Sequence, residues 1–242
     1  MAAKLGLMLT SLAIVSLATL FATSAAADTI PPPITVTVAN YSFEQDVVAD
    51  GQQTPKHSHW VGGGVTRNPT SAEFPGAAIN GSLPSPAQGS QALFNPSSDD
   101  QAVVGDALSL PNGIQHGWLC TMTVAFGQAL NFPSYTPVEF SISIADVTAQ
   151  QAMVGWDFSP SDVPGPGTFK DFTGTFLTDD VIDDVTFDVG DAIAPVIEFG
   201  PGVYVDNVRI TITAVPEPSS LVLLSAGLFG LFAYAWRRRQ AA

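Results

Sequence analysis

The feature that most constrains this chain is a two-residue rhythm. Residues 138–144 read Val-Glu-Phe-Ser-Ile-Ser-Ile, which sets Val138, Phe140, Ile142 and Ile144 on one face. Ile34-Thr-Val-Thr-Val38 alternates in the same way. Val203-Tyr-Val-Asp-Asn-Val-Arg-Ile-Thr-Ile-Thr213 keeps most of the alternation over a length that suits a strand well inside a sheet. Successive side chains of a strand point to opposite faces, so this rhythm buries one face and wets the other. Residues 118–126, 169–176 and 195–199 are further runs rich in β-branched and aromatic residues. Gly and Pro clusters at 62–64, 84–86, 111–113 and 164–167 separate the runs, and helical periodicity is hard to find between the chain ends. Such a chain is expected to be all-β, an antiparallel β-sandwich. Segment 54–100 is rich in Pro, Gly, Ser and Asn and reads as loop-dominated.

The two ends obey other rules. Residues 1–27 have Lys4 near the start, an apolar stretch over 5–21 and the small exit Ala25-Ala26-Ala27. That is the build of a secretory signal helix, removed by signal peptidase; the alternative is an uncleaved anchor. At the other end, 215–242, Val215-Pro216-Glu217-Pro218-Ser219 opens onto an apolar run closed by Arg237, Arg238 and Arg239. A helix over 219–236 is near the lower limit of about 17 residues for crossing a bilayer. The three arginines would stay in the cytoplasm, orienting the segment and holding the preceding domain outside the inner membrane. Phe229, Phe232, Tyr234 and Trp236 crowd the arginine end, as an interfacial belt would.

This order of Pro-Glu-Pro, short apolar helix and arginine cluster resembles the PEP-CTERM sorting signal of Gram-negative bacteria. The resemblance implies recognition of Pro216, Glu217 and Pro218 by an exosortase-type sorting enzyme and removal of the tail. It also implies association with the cell envelope, exopolysaccharide and biofilm. A plain single-span anchor on a proline-rich stalk is the other reading of the same residues.

Between the ends lies one domain, 28–214. It holds 21 of the chain's 22 acidic residues but only four of its eight basic ones, Lys56, Arg67, Lys170 and Arg209, for a formal charge of −17. A surface so acidic repels polyanions, which excludes nucleic acid as a partner. The 15 Phe, 4 Trp and 4 Tyr exclude disorder. The single cysteine, Cys120, excludes an internal disulfide framework.

Two motifs sharpen the expected fold. Val38-Ala-Asn-Tyr-Ser-Phe-Glu44 stands near the start of the domain, with Trp60 after a short loop, and Val203-Tyr-Val-Asp-Asn-Val-Arg-Ile210 stands near its end. The pair resembles the opening and closing strands of galactose-binding-like jelly rolls, common among carbohydrate-binding modules. The resemblance implies a jelly-roll-like sandwich and a structural Ca²⁺ between first and last strands, with Glu44 and Asp206 as ligands. Hard carboxylate and carbonyl oxygens suit that ion. Otherwise Glu44 is a solvated strand-end charge and Asp206 a turn-facing one.

Other constellations say less. Asp179, Asp180, Asp183, Asp184, Asp188 and Asp191 form an acidic run without a D-x-D-x-D-G loop, which suits a solvated edge. His57 and His59, with His116 elsewhere, lack the H-E-x-x-H spacing of a zinc hydrolase. There is no G-x-S-x-G elbow, and Cys120 sits in an apolar run that suits a buried thiol. Sugar binding would need aromatic faces; Trp60, beside a glycine run, and Trp156, before a Pro/Gly loop, are the candidates, with core packing as the alternative for each. Together these readings describe an exported, non-catalytic protein that binds glycans or matrix. A purely structural surface protein and a secreted hydrolase are the alternatives.

Overall fold

The computed structural model describes residues 33–75, 83–110, 113–115, 117–131, 140–147, 151–159, 162, 164–178 and 190–215, together with Gly230, Phe232, Trp236 and Arg239 of the tail. The signal segment 1–27, Pro216 to Pro218, Arg237, Arg238, His116 and the acidic run over 179–188 lie outside the described residues. The four described tail residues are helical. Among the described residues no helix is long and apolar enough to cross a membrane.

Pro32–Val215 forms one compact unit. Its described residues make twelve strands: β1 (Ile34–Val36), β2 (Gln53–Thr54), β3 (Trp60–Gly62), β4 (Val65–Arg67), β5 (Ala92–Phe94), β6 (Gln101–Gly105), β7 (Trp118–Gln128), β8 (Phe140–Asp146), β9 (Gln151–Phe158), β10 (Thr168–Leu177), β11 (Ile193–Phe199) and β12 (Val203–Ala214). Every pairing is antiparallel. Sheet A runs β10-β7-β12-β5-β4-β2, with β1 also on β12, and sheet B runs β3-β6-β11-β8-β9. The protein is an all-β, jelly-roll-like sandwich.

The alternation read from the sequence becomes the core. Phe140, Ile142 and Ile144 of β8 face Met122, Val124 and Phe126 of β7 and Ile210 and Ile212 of β12 in one buried cluster. Segment 54–100 is loop-dominated, as expected, but it is not strand-free. It contributes β3, β4 and β5, and β5 pairs β12 near the middle of sheet A. These strands are three residues each, too short for alternation to show in sequence. Trp156, which precedes a Pro/Gly loop in sequence, lies on the edge strand β9.

A second buried cluster lies on the opposite face of sheet A. Phe94 of β5, Ala125 of β7, Phe169 of β10 and Tyr204 of β12 are covered there by Phe74, Leu83 and Ala87. The Tyr204 ring stacks on Phe94 at 4.5 Å and meets Phe74 edge-on at 5.1 Å. Its hydroxyl donates to Glu73 Oε1 at 2.7 Å. Arg67 donates to the same carboxylate from Nε at 3.0 Å and lies beside it through Nη2 at 2.9 Å. The other oxygen of Glu73 accepts from Thr70 N at 2.8 Å and Thr70 Oγ1 at 3.1 Å. Away from this cover, sheet A presents threonines to solvent: Thr121 and Thr123 on β7, Thr173 and Thr175 on β10, Thr211 and Thr213 on β12. The hydroxyls of Thr123 and Thr173 lie 2.9 Å apart.

Of the two tryptophans offered as sugar contacts, Trp60 is buried in the core and Trp156 is half-buried against it. Trp60 is 5% exposed, its ring 5.3 Å from Phe43, and its Nε1 donates to Asn40 O at 3.3 Å. No face of that ring is open to a sugar. Trp156 pairs Ile142 in register and so points toward the core, where it packs near Phe176 at the open side between β9 and β10. Its indole lies flat on Gly174: a Cβ there would come within 2.0 Å of Trp156 Cδ2. Gly174→Ala should therefore displace the indole and cost about 1–3 kcal/mol by overpacking. Chemical denaturation checks this, and an unchanged midpoint would show the indole free to move aside.

Candidate functional site

Three segments meet at the middle of β12: the turn around residues 40–44, the segment 83–91 and the strand itself. Local sequence makes the turn. Asn40 and Phe43 have positive φ, 47° and 55°, and Phe43 N donates to Asn40 O at 3.1 Å. Asn tolerates that left-handed conformation well. Phe43 tolerates it because its ring is wholly buried in the core. The turn directs Glu44 toward 83–91, where Oε1 accepts from Ser90 N at 2.7 Å and Gln91 N at 2.6 Å, and Oε2 from Ser90 Oγ at 3.3 Å. Gly89 is required at this approach. Its φ is 71°, and a Cβ would lie 2.3 Å from Glu44 Oε1.

Asp206 reaches the same segment from β12. Its side chain is wholly buried, and Oδ2 accepts from Gln88 N at 2.6 Å. Its Oδ1 is buried and accepts nothing. Burial pushes this carboxyl well above the usual range; backbone N–H groups of Gln88 and Asn207 oppose the rise, and the neighbouring Glu44 carboxylate adds to it. Asn207 follows at φ 47°, donating from Nδ2 to Pro86 O at 2.7 Å, and its Oδ1 is likewise buried without a donor.

The structure brings Glu44 and Asp206 to one segment, Asp206 wholly buried and Glu44 half-buried. They clamp 83–91 by its backbone N–H groups. The fit to Ca²⁺ can be judged from the donor set. A buried carboxylate is costly, and two buried oxygens without partners, one on Asp206 and one on Asn207, add to that cost. A divalent cation would satisfy both, because Ca²⁺ takes carboxylate and amide carbonyl oxygens alike. Among the described residues no group of three or more His, Cys, Asp or Glu side chains gathers to hold a metal. The donor set here is two carboxylates and an amide. Asn207 escaped the sequence reading because a strand would send it to the face opposite Asp206. The one available sign was an Asn, the residue that best tolerates positive φ after Gly, inside a β run.

The outer face of sheet B is a second candidate. Its strands carry small residues there: Gly155, Ser143, Val196, Val104 and Val61 form one row across five strands by register. The next row is Asp157, Ser141, Glu198 and Ala102. Ser141 Oγ donates to Glu198 Oε2 at 3.4 Å. Beside that row opens a cavity of about 270 Å³, lined by Asp100, Asp157 and Glu198 and by the edges of the core residues Phe140, Phe158 and Phe199.

The remaining candidates do not gather into a site. His57 and His59 lie in the turn before β3, and His59 Nδ1 is 2.7 Å from Asp106 Oδ2 at the surface. Burial pushes the Cys120 thiol up to about 12, so no thiolate forms near neutral pH.

Residues 214–239 match the PEP-CTERM protein-sorting motif. The chain carries that motif, which implies export, a transient membrane-anchored C-terminal signal and processing by an exosortase-type enzyme. No curated protein matches the chain. Among solved structures, an apo-form cyclase from Fischerella sp. is similar with a TM-score of 0.57 at 13% identity, over 76% of this chain and 98% of that one. A cyclase from Fischerella sp. TAU in complex with 4-(1H-indol-3-yl)butan-2-one gives 0.54 at 14% identity, over 76% and 100%. At such identities the cyclases share the fold alone. TmCBM61, in complex with beta-1,4-galactotriose, gives 0.40 at 13% identity, over 71% and 94%.

Proposed function

We propose that this protein is an exported, non-catalytic glycan-binding module, held in the envelope or extracellular matrix of a Gram-negative bacterium and braced by a structural Ca²⁺. On this reading signal peptidase removes 1–27. The helix over 219–236 pauses in the inner membrane, and exopolysaccharide is the ligand. The observation that most favours glycan binding is the outer face of sheet B. Small side chains leave it open across five strands, and the two carboxylates of one row, Asp157 and Glu198, stand beside a cavity. A carboxylate accepts two hydroxyl hydrogens at once, and sugars offer neighbouring hydroxyls. Trp60 lies in the core and Trp156 is half-buried against it, so hydrogen bonding to Asp157 and Glu198 is the main source of recognition.

Titration against a panel of soluble polysaccharides tests this. Asp157→Ala and Glu198→Ala should each weaken binding by about tenfold or more, since a hydrogen bond to a charged group contributes about 1.5–3 kcal/mol. Binding unaffected by both substitutions would move the site elsewhere. Absence of binding throughout the panel would leave the structural role, and release of new reducing ends would make the protein a hydrolase.

A further inference from the structure

We propose that the cation site is a latch: occupancy by Ca²⁺, with Asn207 Oδ1 among its ligands, decides whether the 83–91 segment is closed over sheet A. The proposal rests on the cation reading above and goes beyond it, from a brace to a controlled closure.

The backbone of β12 makes the site. Its register with β7 shifts between Asp206 and Arg209, and Asn207 sits within that irregularity at φ 47°. In a regular strand Asp206 and Asn207 would point to opposite faces. Here both side chains reach one short segment, Asp206 at Gln88 and Asn207 at Pro86. Each side chain keeps one buried oxygen with no partner. Two adjacent residues bent to the same side, each with an oxygen left over, offer two of the roughly 6–8 oxygens that Ca²⁺ takes.

The segment they reach depends on them. Its tethers to the rest of the domain are mainly bonds to this cluster: Asp206 accepts from Gln88 N, Glu44 accepts from Ser90 N and Gln91 N, and Asn207 Nδ2 donates to Pro86 O. Tyr41 OH adds a bond to Gln88 Oε1, and Gln91 Nε2 one to Phe43 O. The same segment places Leu83 and Ala87 over the second core. With no cation, two carboxylates converge on one loop and repel each other. A bound cation reverses the sign of that interaction and fixes both acceptors at once. Sites in extracellular modules commonly have dissociation constants of about 10⁻⁴–10⁻³ M, so a latch of this kind closes in a Ca²⁺-rich medium.

The test uses the full chain, with calorimetric titration of CaCl₂ beside amide hydrogen exchange in CaCl₂, MgCl₂ and EGTA. Ca²⁺ should bind. The amides of Gln88, Ser90 and Gln91 should gain about tenfold or more in protection, with little change in β7 and β8, because local opening is read residue by residue. Asn207→Gly keeps the backbone conformation and removes the oxygen. It should weaken Ca²⁺ binding by about tenfold and abolish the gain in protection. Should that variant fail to fold, Glu44→Gln, which keeps size and removes charge, serves in its place with the same expected loss. No Ca²⁺ binding would overturn the cation reading and the latch with it. Binding with unchanged protection of 83–91 would overturn the latch alone. Wild-type Ca²⁺ affinity in Asn207→Gly would remove Asn207 from the ligands.

Discussion

Glu73→Ala should destabilise the domain by about 3–5 kcal/mol, the usual cost of leaving a buried charge without its partner. Glu73 joins three things that are otherwise separate. It accepts from Tyr204 OH on central strand β12, from Arg67 on β4, and from Thr70 in the covering segment. Removing it strands the Arg67 guanidinium and a wholly buried tyrosine hydroxyl together. Urea denaturation should show a lower midpoint, and a loss below about 1 kcal/mol would mean that water replaces the carboxylate. The pH dependence has a fixed sign. Burial alone would raise the Glu73 carboxyl, but the hydrogen bonds from Thr70 and Tyr204 and the Arg67 charge outweigh it and hold it below the usual range. A carboxyl lowered in the folded state adds stability above its ordinary value of about 4.3 and loses it as pH falls through the lowered one. The gap between wild type and Glu73→Gln should therefore be widest near neutrality and narrow below about pH 4. A gap that widens in acid would contradict the network.

Ca²⁺ should raise the thermal midpoint by several degrees, and EGTA should take the gain away. A ligand at about 100 times its dissociation constant adds about 2.7 kcal/mol. For a domain of this size each kcal/mol moves the midpoint by about 2–4 °C, so a shift of about 5–10 °C is expected. Mg²⁺ should do less, because it demands a tight octahedron and gives up water reluctantly. Asp206→Asn keeps the shape of the side chain and removes its charge. It should lessen the Ca²⁺ response, while the variant in EGTA should match or exceed the wild type in EGTA, since no buried charge remains. Identical melting with and without Ca²⁺ would show that Glu44 and Asp206 serve only as clamps for backbone N–H groups.

Fold class was legible because long strands advertise themselves. β7, β8, β10 and β12 run for seven to twelve residues, and alternation or β-branched and aromatic composition marks each. β3, β4 and β5 were not legible, because three residues cannot establish a period. Glu44 and Asp206 could be picked out through the motifs that contain them. Their partners could not, since Gln88, Ser90 and Gln91 contribute backbone N–H groups, which every residue but proline has. The packing of Trp60 in the core and of Trp156 against it was hidden for a different reason. Nearby glycines suggested loops, whereas Gly174, eighteen positions beyond Trp156, is the glycine that shapes its surroundings. Close packing between strands leaves little trace in local sequence.

β12 ends at Ala214, and the sorting motif begins at the same residue. Any pull on the tail thus enters the domain through a strand flanked by β7 on one side and by β1 and β5 on the other. Force along that strand acts across its hydrogen bonds, so they share the load in shear and cannot peel apart one at a time. The strand that leads into the sorting motif is thus one held by neighbours on both sides.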